Sequence, residues 1–89
     1  MNNRFGRDEA KILYKLMRLG KWEHAHTSND NLIKGFPKHK RGDARKIIPK
    51  LIKRGFLHVK PTAYGRQISL NIERKKEMEE IVARYFEQI

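Results

Sequence analysis

The sequence predicts a mainly helical α+β domain: three helices, a two-stranded antiparallel hairpin and one further helix at the end. Three observations predict it. Apolar residues recur at three-and-four spacing around Leu13, Ile48 and Ile81, which is the stripe of an amphipathic helix. Around Val59 and Ile68 they alternate with polar residues, as in half-buried strands. The chain has 89 residues and no cysteine, so one domain, residues 1–89, folds on an apolar core without disulfides.

Residues 1–6 read as a short tail, with Phe5 folded back as a cap on the core. The first helix runs from Arg7 to Leu19. Asp8 and Glu9 suit the positive end of its dipole, Ala10, Leu13, Leu16 and Met17 form its stripe, and Gly20 stops it. Lys21 to Thr27 allows a short extended piece, with Trp22 as a core anchor. Thr27 or Ser28 caps a weak second helix from Asn29 to Lys34, contributing Leu32 and Ile33. Gly35-Phe36-Pro37 is a turn, because Pro37 pushes Phe36 away from helical geometry.

The third helix starts in the basic stretch after Lys38 and ends near Arg54. Ala44, Ile47, Ile48, Leu51 and Ile52 make its apolar face, and Gly55 closes it. His39, Gly42, Lys46, Pro49, Lys50 and Lys53 lie opposite, flanked by Arg41 and Arg45. Pro49 removes one backbone bond and is expected to bend the helix toward the core. Strands follow over Phe56 to Lys60, with Leu57 and Val59 inward, and Gln67 to Asn71, with Ile68 and Leu70 inward. The link between them, Pro61 to Arg66, holds Gly65 at positive φ. Asn71 caps the last helix within residues 72–89, whose stripe is Met78, Ile81, Val82, Tyr85, Phe86 and Ile89.

The charge is concentrated. The chain carries 21 Lys or Arg against 10 acids, a net +11. From Lys34 to Arg66 there are eleven Lys or Arg and one acid, Asp43, so this stretch alone is +10. A local surplus of this kind points to a polyanionic partner. Solvated helix faces normally interleave acids for i,i+4 support, and this one does not. No apolar run approaches the ~18 residues of a membrane span. The start, MNNRFGRDE, has no secretory apolar core, which points to a cytoplasmic place.

The order helix, extended piece, helix, turn, helix, hairpin resembles a winged helix-turn-helix, with residues 7–71 as its core. Leu51-Ile52-Lys53-Arg54-Gly55-Phe56-Leu57 looks like the end of a recognition helix entering its wing. Lys60-Pro61-Thr62-Ala63-Tyr64-Gly65-Arg66 with Ser69-Leu70-Asn71 is similar to the small archaeal winged-helix DNA-binding proteins. The resemblance covers roughly residues 8 to 72. It departs at Gly35 to Gly42, which is longer and more basic than the usual tight turn, and at Pro49.

The resemblance implies double-stranded DNA binding in transcriptional regulation, in the cytoplasm and on the nucleoid. The third helix would enter a major groove about 12 Å wide. Lys46, Lys50 and Lys53 would take phosphates, joined by Lys38, His39 and Lys40. Arg41 and Arg45, nearest the entering end, would read bases. In the wing, Lys60 and Arg66 would reach flanking backbone or minor groove, with Tyr64 along a sugar. Alternatives are an RNA or ribosome-associated module and a protein-interaction module facing an acidic partner. No cofactor, metal or catalytic role is expected: His24 and His26, even with His39 and His58, lack a ligand pattern, and Tyr14, Tyr64 and Ser69 have no base beside them. The last helix either packs on the first or forms a homodimer interface.

Overall fold

The computed structural model describes residues 6–63 and 65–86. They form a small α+β domain of four α-helices and a three-stranded antiparallel sheet. The places expected for Phe5, Tyr64 and Ile89 lie outside the described residues.

Helix α1 (Arg7–Arg18) starts at Gly6, whose N–H donates to the Glu9 carboxylate at 3.0 Å. It ends where Gly20, at φ +68°, lets the N–H groups of Gly20 and Lys21 reach back to the Met17 and Leu16 carbonyls. Strand β1 (Thr27–Ser28) leads into α2 (Asn29–Lys34), and the Ser28 hydroxyl caps the helix by accepting the Asn31 N–H at 3.0 Å. One 3-10 turn, Lys38–Lys40, precedes α3 (Arg41–Lys53). The hairpin is β2 (Leu57–Thr62) and β3 (Gly65–Leu70). The Asn71 side chain then accepts the Glu73 N–H at 3.1 Å and donates to the Gly55 carbonyl at 2.8 Å, opening a 3-10 turn that runs into α4 (Lys75–Phe86).

The core sits between α1, α3, α4 and one face of the sheet. Ala10, Leu13 and Leu16 of α1 meet Ala44, Ile47, Ile48 and Leu51 of α3, all buried. Met78, Ile81 and Val82 of α4 close the other side of α1. Trp22 is half-buried against this core and bridges to Leu70. Helix α3 continues across Pro49, which lies on its exposed side. The bond lost there is the one to the carbonyl of Arg45, an exposed residue.

Four expectations need correction. The sheet has three strands rather than two, in the order β1-β3-β2, because Thr27 pairs with Ile68 and Ser28 with Gln67 on the second edge of β3. The extended piece falls on these two residues, while His24 sits in the preceding turn. The hairpin is also longer than the apolar alternation suggested. Pro61 pairs with Arg66 and Thr62 with Gly65. Proline is tolerated because β2 is an edge strand. Val59 is 36% exposed, beyond the reach of the core, whereas Leu57 is buried.

Glu23 ties two of these segments together. It holds φ +49°, a left-handed conformation that costs a side-chain-bearing residue about 1–2 kcal/mol. Its N–H donates to the Leu70 carbonyl at 3.0 Å. Its carboxylate accepts the Ile72 N–H at 2.5 Å and meets His58 Nε2 at 3.2 Å. The Ile72 N–H first, and the His58 ring with it, hold the Glu23 carboxyl below its ordinary value of 4.5.

Two predictions follow from these contacts. The folded pKa of Glu23 is the lower one, so its ionised form contributes stability above about pH 4.5 that is lost as pH falls through the folded value. Below that pH the melting temperature of the wild type should fall more steeply than that of Glu23→Gln; parallel curves would remove Glu23 from the linkage. Gly55, at φ +85°, closes α3, and a Cβ there would also meet Arg74 Nη2 at 3.3 Å. Gly55→Ala should lower the unfolding free energy by about 1–2 kcal/mol in a urea melt, and an unchanged midpoint would show that this turn relaxes freely.

Candidate nucleic-acid interface

Burying one side of α3 decides what its other side shows. With Ala44, Ile47, Ile48 and Leu51 inward, Gly42, Arg45, Lys46, Pro49, Lys50 and Lys53 are exposed. Lys46, Lys50 and Lys53 follow one another at i, i+4 and i+7, a cationic row about two helical turns long. Among the described residues, Arg45, Lys46, Lys50, Lys53, Lys60 and Arg66 have neither an ion pair nor a side-chain hydrogen bond. Their charges are therefore available to an incoming anion.

The hairpin folds beside this row. Between them runs an open groove of about 380 Å³. Pro49, Ile52 and Lys53 of α3 form one wall, and Val59, Pro61 and Arg66 of the hairpin form the other. Lys53 and Arg66 thus line one groove although they belong to different elements. No acid lines it. The apolar floor was not anticipated from the sequence: Pro61 looked like loop and Val59 like core. The signal that was present is that Pro49 lies on the polar side of the helix, where a proline has no packing role.

Arg41 has a different position from the one expected of a base reader. It is half-buried. Its Nε donates to the Phe36 carbonyl at 2.9 Å and its Nη2 to the Lys34 carbonyl at 3.2 Å. The cause lies in the turn. After α2, Gly35 N–H bonds the Leu32 carbonyl and Phe36 N–H bonds the Ile33 carbonyl. The next donor in this series would be residue 37, and Pro37 has no N–H. Arg41 supplies the missing donor to Lys34. This leaves Arg45 as the exposed arginine at the start of α3.

The remaining expected contacts are spread along the same edge. Lys38 and His39 are exposed in the 3-10 turn. Lys40 lies 3.8 Å from Asp8 of α1, which ties it to the domain. Lys60 and Arg66 are exposed on the hairpin. His24, His26, His39 and His58 do not converge, and among the described residues no three His, Cys, Asp or Glu are placed to hold a metal ion. Among the described residues no helix is long and apolar enough to cross a membrane.

No family model, curated protein or solved structure matches the chain.

The two arginines should separate in experiment. Arg41→Ala removes two charge-assisted bonds and should cost about 1–3 kcal/mol of stability. Arg45→Ala should leave the melting temperature within a degree or two of wild type and weaken binding of a polyanion. Loss of binding without loss of stability in Arg41→Ala would return that residue to the interface.

Proposed function

We propose that this chain is a winged-helix protein that binds double-stranded DNA, acting as a transcriptional regulator in the cytoplasm and on the nucleoid. In this reading α3 enters the major groove and the β2–β3 hairpin lies on the flanking backbone. One observation carries it: unpaired cations of α3 and of the hairpin, Lys53 and Arg66, line a single groove in which no acid stands among the described residues. A phosphate backbone supplies a regular anionic rail, and each phosphate neutralised releases counterions. Lys46, Lys50 and Lys53 suit that task as flexible point charges, and Arg45 has the fork that pairs with guanine. The apolar floor, Pro49, Ile52, Val59 and Pro61, suits the carbon face of a deoxyribose or a thymine methyl.

RNA is the weaker alternative, because stacking needs exposed aromatic faces and among the described residues none lines this groove. The homodimer expected through the last helix is one form of the proposal, and packing within the monomer accounts for most of that helix's stripe. Met78, Ile81 and Val82 are buried within the monomer, and Tyr85 and Phe86 pack against the same core. A monomer reading one half-site is the simpler form of the proposal.

The test is a titration of a random-sequence duplex, followed by anisotropy over a range of salt. Six phosphate contacts give a slope of log K against log salt of about −5. Replacing both Lys53 and Arg66 with alanine should reduce that slope by about two. An unchanged slope would take the groove off the DNA. No duplex binding at low salt would sink the proposal and favour an acidic protein partner, tighter binding in a parallel titration of single-stranded RNA would favour the RNA reading, and a palindrome enriched when the retained duplexes are sequenced would support the dimer.

A further inference from the structure

A second cationic surface lies on α1, built from none of the residues of the α3 groove. Arg7, Lys11, Lys15 and Arg18 follow one another along its outer side. Beside them, α1, the end of α4 and the turn after α2 enclose a cleft of about 500 Å³, within the range of small-molecule sites. Its floor is aromatic: Tyr14, Phe36 and Phe86. Tyr14 and Phe86 are stacked, with ring centroids 5.0 Å apart and planes at 17°. Its rim is cationic: Lys11, Lys15 and Arg18. Among the described residues no carboxylate lines it, and Leu19 at its edge is 53% exposed.

The rim is held in place by the floor. Lys11 Nζ lies 5.5 Å from the centre of the Phe36 ring, and the Arg18 guanidinium 5.8 Å from that of Tyr14. Ring faces attract cations, so these groups are ordered before any anion arrives. Lys15 extends over Gly35, where a Cβ would collide with its ammonium. A bare backbone at that point is what lets Lys15 reach the cleft.

We propose that this cleft binds a small aromatic anion, a flat ring system bearing one sulfonate, carboxylate or phosphate. The ring enters the cleft beside the stacked Tyr14 and Phe86 and the edge of Phe36, and the acid group meets Lys15, Arg18 and Lys11. Charge complementarity selects the anion, and the aromatic floor selects the ring over an aliphatic chain.

The probe is 8-anilino-1-naphthalenesulfonate, titrated into the 15N-labelled full chain. Fluorescence gives the affinity and amide shifts give the place. Saturable binding is expected, with shifts centred on Tyr14, Gly35 and Phe36. The uncharged analogue N-phenyl-1-naphthylamine should bind about tenfold more weakly. Lys15→Glu combined with Arg18→Glu should weaken the sulfonate about tenfold while leaving the rest of the amide spectrum native. Shifts centred on Lys46 to Lys53, equal affinity for the two probes, or wild-type affinity in the double variant would each overturn the proposal. None of these results depends on whether the chain binds DNA.

Discussion

The burial of one side of α3 is the constraint on which the rest of the structure depends. A helix of thirteen residues has little room to rotate once Ala44, Ile47, Ile48 and Leu51 are inside. Turning it by one position would bury a lysine or expose two isoleucines, and each exchange costs more than a small domain can spare. The outward direction of Lys46, Lys50 and Lys53 is therefore a by-product of apolar packing. So is the placement of the hairpin. Gly55 ends the helix and Phe56, buried, turns the chain back so that Leu57 enters the core and Lys53 comes to face Arg66.

This also explains how much was legible in the sequence. The helices were readable because their stripes are strong and because Gly20 and Gly55 stand where left-handed turns are needed. The third strand was not. It has two polar residues, no alternation, and exists only because β3 offers a free edge of backbone groups. The reach of the hairpin was hidden by Pro61, which argues for a loop unless the strand is known to lie at a sheet edge. Arg41 was misread because its partners are carbonyls five and seven residues upstream. Charge and helical phase put it at the rim of the cationic face, and only the donor missing at Pro37 explains why it turns inward.

The surplus of charge is not balanced locally. Like charges along Lys34 to Arg66 repel one another, and this works against the compact state. The fold keeps the cost low by leaving most of these groups in water, where repulsion is screened over about 8–10 Å. Apart from Asp43 in the first turn of α3, the acids named here lie elsewhere. Asp8 serves Lys40 from α1, while Glu77 and Glu79 of α4 pair with Arg74 and Lys75. One acid against Arg45, Lys46, Lys50 and Lys53 leaves the outer side of α3 net positive.

The two cationic surfaces differ in chemistry although both are rich in lysine and arginine. Along α3, Lys46, Lys50 and Lys53 are free and spaced by helical turns, and Lys53 lines an open groove whose floor is aliphatic and proline-lined. A long, regularly charged partner satisfies them one by one. On α1, Lys11 and Arg18 rest on aromatic rings beside a cleft of about 500 Å³, which restricts their positions relative to one another. A polymer gains little there, because its charges would have to match a rigid, short constellation. A compact ligand gains more, since its ring contacts and its charge are met at once and little ordering remains to be done. Net charge alone does not distinguish these surfaces. What lies beneath the charge, a free helix face in one case and an aromatic floor in the other, sets the kind of partner each one takes.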